Sequence, residues 1–236
     1  MILLLINIFS YAKLGKILLS ASSIILSIGT YAMLYGWRYA AGFVALIFCH
    51  EMGHYLAAKQ KKLNVGLPTF IPFLGAWIQL KEQPMNAEVE AYVAYAGPFV
   101  GTVASFAVYF LGMSNGNHLL IALAQAGFII NLFNLIPLHP LDGGRITSVI
   151  SPRVWFVGVP LLVAVWFYFP SPILIIIAVL SAPQLIKAWK YDPHLPENKA
   201  YYAVKLSTRI EYSVLYLGLA IILALMIEKL TTHLVQ

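Results

Sequence analysis

The sequence predicts an all-α fold, a polytopic transmembrane helical bundle of about 6–7 spans. Three observations predict it. Of 236 residues, 61% are hydrophobic and only 10% are charged, with a mean hydropathy of +0.81, whereas soluble domains carry about 25% charged residues. The apolar residues fall into runs near the roughly 20 residues that cross a bilayer as a helix. Lys and Arg sort to one side of the resulting map.

Met1 to Phe9 is apolar but short for a span, and the first twelve residues lack the positive start of a secretory signal. This stretch reads as a retained interfacial or packed segment. Spans follow at roughly 16–36, 39–58, 88–111, 119–137, 154–169, 172–187 and 211–229. The two pieces between 154 and 187 are short, and Pro170-Ser171-Pro172 between them reads as a tight turn at the far face. Val65 to Leu80 is apolar yet interrupted by Pro68, Pro72 and Gly75, which makes it a poor spanning helix. No soluble insert or low-complexity tract divides the chain, so residues 1–236 read as one membrane-embedded domain.

The chain has 15 Lys and Arg against 9 Asp and Glu, a net charge of +6. The basic residues are too scattered to form a nucleic-acid face, so no nucleic-acid partner is expected. They report topology instead, because cytoplasmic loops hold the excess of Lys and Arg. With the N-terminus inside, 13 of the 15 fall on the cytoplasmic side and only Arg38 and Lys229 lie outside. The expected location is the cell membrane, as a multi-pass protein. The single cysteine, Cys49, excludes an internal disulfide framework and a zinc site built from several thiolates.

Against this apolar background, Phe48-Cys49-His50-Glu51-Met52-Gly53-His54-Tyr55 closes the second span just before Lys59-Gln60-Lys61-Lys62. Ionisable groups at membrane depth are costly and mark functional sites. Helix positions i and i+4 share a face, so His50 and His54 can address one ion, with Glu51 about 100° round from His50. Two imidazoles and a third ligand leave one position of a tetrahedral zinc open, as in catalytic sites, and Glu51 is placed as the general base. Gly53 leaves room beside the site for substrate or a neighbouring helix. Two buried histidines bonded to neighbouring helices, with Glu51 as counter-ion, is the plainer alternative.

Asn131-Leu-Phe-Asn134-Leu-Ile-Pro137-Leu-His139-Pro140-Leu141-Asp142-Gly143-Gly144-Arg145 closes the fourth span. Pro137 and Pro140 break helical hydrogen bonding, Gly143 and Gly144 permit unusual backbone angles, and such a break at depth must be buried in protein or line a cavity. Asp142 falls on the same side as His54 and can supply a hard oxygen ligand. His139 is the other candidate.

The pair HEMGH and NLIPLHPLDGG resembles the site-2 protease family of zinc intramembrane metalloproteases, whose signatures are HExxH and NxxPxxxxDG. They match at His50, Glu51 and His54, and at Asn134, Pro137, Asp142 and Gly143, within a core of about residues 39–150. The resemblance implies one zinc per chain held by His50, His54 and Asp142, Glu51 as general base, and Asn134 as a polar group against substrate or oxyanion. It implies cleavage of a transmembrane protein substrate within the lipid bilayer, near the cytoplasmic side. It also implies a re-entrant hairpin at about 65–80, where the residues alone equally suit an interfacial loop. In Gly97-Pro98-Phe99-Val100-Gly101, the small-xxx-small spacing lets the third span approach a neighbour closely, and Gly97 and Pro98 need no catalytic task.

Three rival readings use the same residues. One is a metal or ion transporter with His50, Glu51, His54 and Asp142 as transit site. Another is a prenyl-protein-type zinc membrane protease, which needs a downstream glutamate that Glu82, Glu88 and Glu90 supply too early. The third is a catalytically silent scaffold. Compared with better-known relatives, the seven-residue external turn Gly112 to His118 leaves no room for a peptide-binding insert, and no nucleotide-sensing domain is expected after Gln236. Substrate choice is expected to rest on the membrane domain, on residues 188–208, or on a regulatory membrane partner; residues 188–208 also suit a plain connector.

Overall fold

A computed structural model describes residues 2–72, 75–77 and 84–235. The chain forms helices α1 (Ile2–Tyr35), α2 (Trp37–Gln60), α3 (Ala87–Asn115), α4 (His118–Asn134), α5 (Asp142–Thr147), α6 (Trp155–Tyr168), α7 (Pro172–Trp189), α8 (Pro196–Tyr201) and α9 (Leu206–Val235). Strands β1 (Thr69–Ile71) and β2 (Gly75–Trp77) pair antiparallel, with Phe70 opposite Ala76. Residues 65–80 therefore contain a hairpin, although 73–74 and 78–80 lie outside the described residues. The expected N-terminal segment is continuous with the first span as α1.

Among the described residues, four stretches are long and apolar enough to cross a membrane: Ile17–Tyr35, Ala87–Asn115, Pro172–Trp189 and Leu206–Thr232. His118–Asn134 and Pro152–Tyr168 are apolar but shorter. Helix α2 has 24 residues, about 36 Å at 1.5 Å each, so length suffices. Its polar insertions, His50, Glu51 and His54, are what lower its apolarity. Large apolar side chains such as Leu26, Phe110 and Leu217 remain exposed on helix faces. Without lipid around them such faces would be aggregation sites, and the protein is a multi-pass membrane protein.

Local sequence sets the helix ends. Asn86 caps α3 by accepting from the Val89 N–H at 2.9 Å, and Asn117 caps α4 from the Leu119 and Leu120 N–H groups, the preferred use of asparagine at these positions. Helix α4 stops at Asn134, three residues before Pro137, and the chain turns through buried Leu135, Ile136 and Leu138 into α5. Proline accounts for the stop, since it disfavours helical backbone in its predecessor and supplies no N–H.

The main core packs α3, α4, α5 and α9 around Phe128, Tyr109, Ile146, Leu219 and Leu223. Among membrane helices this packing is held by van der Waals contact rather than by exclusion of water, because lipid tails are as apolar as these side chains. A second cluster seats Ile136, Leu138 and Leu141 of the α4–α5 link on Leu162 of α6 and on Leu174 and Ile177 of α7. A third joins Tyr31 of α1, Val44 and Ile47 of α2, and Phe70 of β1. The hairpin is tied further to α1: Ser20 donates to the Pro68 carbonyl at 2.5 Å, and the Phe70 N–H donates to Ser23 Oγ at 3.0 Å.

Residues 188–208 include α8 and join α7 to α9. The Tyr201 hydroxyl donates to Glu90 Oε2 at 2.6 Å, and Arg209 donates to the carbonyls of Ile150, Tyr202 and Val204. Burial, and then the Glu90 carboxylate, push the Tyr201 pKa far above that of a free phenol, so this hydroxyl stays a donor.

Candidate metal centre

His50 and His54 project from one face of α2 toward α3, α4 and α5. The two Nε2 atoms lie 3.1 Å apart. Asp142 Oδ2 lies 3.0 Å from His50 Nε2 and 3.1 Å from His54 Nε2. All three residues are buried, at 4%, 7% and 7% exposure, too little for water to solvate three polar groups. His54 and His50 precede the end of α2 at Gln60 by 6 and 10 residues, roughly 9 and 15 Å along the helix axis.

The opposite ring nitrogens determine what this triangle can bind. His50 Nδ1–H donates to Asn131 Oδ1 at 2.8 Å, and His54 Nδ1–H donates to the Val93 carbonyl at 2.8 Å. Both acceptors are carbonyl oxygens, so in the neutral rings the proton sits on Nδ1 and Nε2 presents a lone pair. Two such nitrogens and a carboxylate oxygen, crowded within about 3 Å and shielded from water, repel one another unless a cation lies among them. Tetrahedral zinc bonds of about 2.0–2.1 Å set ligand atoms roughly 3.3 Å apart, close to the observed spacing. His50, His54 and Asp142 therefore fit a zinc ion.

Glu51 follows His50 in α2 and is 8% exposed. Asn134 is half-buried, and its amide donates to Ile130 O of its own helix at 3.1 Å; no hydrogen bond joins it to the histidines or Asp142. His139 is exposed. Its N–H donates to Gln184 Oε1 at 2.6 Å, and its carbonyl accepts from Ser181 at 2.5 Å, which pins the loop before Asp142 to α7. Glu90 pairs with Arg145 at 3.5 Å and accepts from Tyr201 and Ser148, so it is committed away from the triangle. Glu82 lies outside the described residues.

Several residues that position the site had a weaker signal in the sequence. Gly53 and Gly97 make the close α2–α3 approach: a Cβ on Gly53 would meet Ala96 O at 2.3 Å, and one on Gly97 would meet His54 Nε2 at 2.2 Å. The small-xxx-small spacing marks a close approach but not its target. Gly97→Ala is therefore expected to displace the His54 ring and weaken zinc binding roughly ten- to a hundredfold, given an overpacking cost of about 1–3 kcal/mol. Competition against a chromophoric chelator measures this, and unchanged affinity would refute the contact. Gly143 and Gly144 have ordinary helical backbone in α5, and the left-handed glycines among the described residues are Gly36 and Gly116. They are needed for packing instead: a Cβ would meet Leu135 O at 2.1 Å or Leu138 C at 2.5 Å. Trp155 Nε1–H donates to Gly144 O at 2.7 Å, fixing α5 from the other side.

Residues 38–118 match Peptidase family M50, a span that includes His50, Glu51 and His54 and ends before Asp142. A protein described as a probable chloroplast zinc metalloprotease of Arabidopsis thaliana is 33% identical over 79 residues, 31% of this chain and 14% of that protein. A zinc metalloprotease of Methanocaldococcus jannaschii is 31% identical over 116 residues, 47% of this chain and 33% of that protein. The chain thus spans a third or less of the length of these relatives. The solved structure of a site-2 protease from Methanocaldococcus jannaschii aligns with a TM-score of 0.43 and 22% identity, over 70% of this chain and 83% of that one. The resemblance drawn from the sequence is to this same family, and the first motif, His50, Glu51 and His54, lies inside the matched residues.

Proposed function

We propose that this chain, as one membrane-embedded domain with a catalytic core at about residues 39–150, is a zinc metalloendopeptidase of the site-2 protease type. It hydrolyses a peptide bond in or near a transmembrane segment of a membrane-protein substrate, on the cytoplasmic side of a cell membrane. The observation that carries this reading is the buried triangle of His50 Nε2, His54 Nε2 and Asp142 Oδ2, at 3.0–3.1 Å, with Glu51 adjoining it on α2.

In this reading His50, His54 and Asp142 hold the zinc. When bound there, the ion acts as a Lewis acid and brings the pKa of its water toward neutrality. Glu51 removes a proton from the attacking water and delivers it to the departing amine nitrogen, so its carboxylate begins and ends the cycle ionised. Asn134 is assigned to the oxyanion, a task that requires its amide to leave Ile130 O when substrate binds. The buried walls exclude bulk water, which strengthens each of these charge interactions.

An intact substrate helix keeps its amide carbonyls in hydrogen bonds, so the cleaved segment must unwind first. The test uses purified protein in liposomes with single-span peptides, one carrying Gly-Pro near its cytoplasmic end and one all-leucine. Cleavage of the first alone, abolished by a zinc chelator and restored by zinc, is expected. Zinc flux across the bilayer with neither peptide cut would identify a transporter instead and contradict the protease reading.

A further inference from the structure

We infer that Asn131 is a positioning residue for the metal: it selects the tautomer of His50 and orients that ring, so that Nε2 faces the ion. This rests on the metal reading above.

The two histidines are held by different means. His54 leans on a main-chain carbonyl, that of Val93, which no substitution can remove. His50 leans on a side chain, Asn131 Oδ1, at 2.8 Å, with both residues buried. An asparagine amide could face His50 with either end. Here the choice is set by the second bond, because Asn131 Nδ2–H donates to Gly127 O at 2.8 Å, which needs a donor. Oδ1 is therefore the end that meets His50, and an amide oxygen accepts only, so the His50 proton must sit on Nδ1. The relay runs from Gly127 O through the Asn131 amide to His50 Nδ1, and it leaves Nε2 unprotonated at the triangle.

Helix α3 makes room for this relay. A Cβ on Gly101 would fall 2.3 Å from Asn131 Oδ1, so Gly101 allows the amide to reach His50. Gly97, one turn earlier on α3, borders the His54 ring itself, and Gly101 borders the amide that orients His50. A structural role alone would require Asn131 only to fill space, which leucine does comparably. The tautomer role requires an acceptor, which aspartate provides and leucine does not. Partners of metal-ligating histidines commonly affect metal affinity about 10- to 100-fold.

The test loads Co²⁺ and then Zn²⁺ onto wild-type protein, Asn131→Leu and Asn131→Asp in detergent, measuring affinity by chelator competition and the Co²⁺ visible absorption spectrum. Wild type and Asn131→Asp are expected to bind within about threefold of each other, or the aspartate variant more tightly, with similar spectra. Asn131→Leu is expected to bind roughly 10- to 100-fold more weakly, with a changed spectrum. Asn131→Leu that matches wild type in affinity and spectrum would overturn the inference and leave the metal reading standing. Equal loss in both variants, with helicity and monodispersity retained, would overturn it as well. Should Asn131→Leu fail to fold, Asn131→Asp alone decides: tight binding supports the acceptor role, and loss from a folded protein refutes it. No metal on the wild type would remove the metal reading and this inference together.

Discussion

Glu51→Gln protein, purified and reconstituted, is expected to keep its zinc and lose roughly a hundred- to ten-thousandfold in cleavage rate, the usual contribution of a general base. Glutamine has nearly the same shape as glutamate and keeps an oxygen acceptor, so a buried site at 8% exposure is not overpacked by the change. What it cannot do is take a proton at pH 7. The result separates chemistry from binding: metal content and thermal stability stay near wild type while turnover falls. Activity close to wild type would show that another group accepts the proton and would remove Glu51 from its role. Zinc loss in parallel with activity would make Glu51 a ligand or a structural counter-ion.

Asp142→Ala is expected to empty the site altogether. The carboxylate contributes the one anionic atom of the triangle, at 3.0 and 3.1 Å from the two imidazole nitrogens. Without it two neutral rings face a cavity where their ligand oxygen was. The loss of affinity should exceed the roughly 10- to 100-fold typical of removing an outer partner. His139→Ala makes the control. That side chain is exposed, and the loop contacts it could affect run through its main chain to Gln184 and Ser181, so zinc content should be unchanged. Metal analysis of both variants checks this. Retention by Asp142→Ala with loss in His139→Ala would exchange the two assignments.

The helix map was legible because apolar runs near bilayer length are a one-dimensional signal, and expected spans such as 88–111 and 172–187 fall inside α3 and α7. The histidine pair was legible for a similar reason, since i and i+4 spacing fixes a shared face within one helix. Asp142 was legible only through side-of-membrane bookkeeping and a family motif, because 88 residues separate it from His54.

What could not be read depends on how helices pack. Gly97 was read as a generic small residue, yet its lack of a side chain is what admits His54 Nε2. Asn131 stands three residues before the motif asparagine, Asn134, and it is Asn131 that touches His50. No periodicity distinguishes these two amides; only the direction each faces from α4 does. The Val93 carbonyl, which holds His54, has no sequence signature at all. Likewise, the link from Tyr201 through Glu90 to Arg145 joins residues 111 positions apart, and no local pattern in 188–208 signals it. This link reaches α5 three residues beyond Asp142.

Three side chains from two distant segments are expected to hold one zinc ion, and zinc-edge X-ray absorption on the purified protein, alongside metal quantification, measures this. One zinc per chain is expected, with two imidazole nitrogens and a carboxylate oxygen at about 2.0–2.2 Å. That signal should be lost in His54→Ala and Asp142→Ala. A protein that binds no zinc, or whose zinc keeps the same spectrum in both variants, would contradict it.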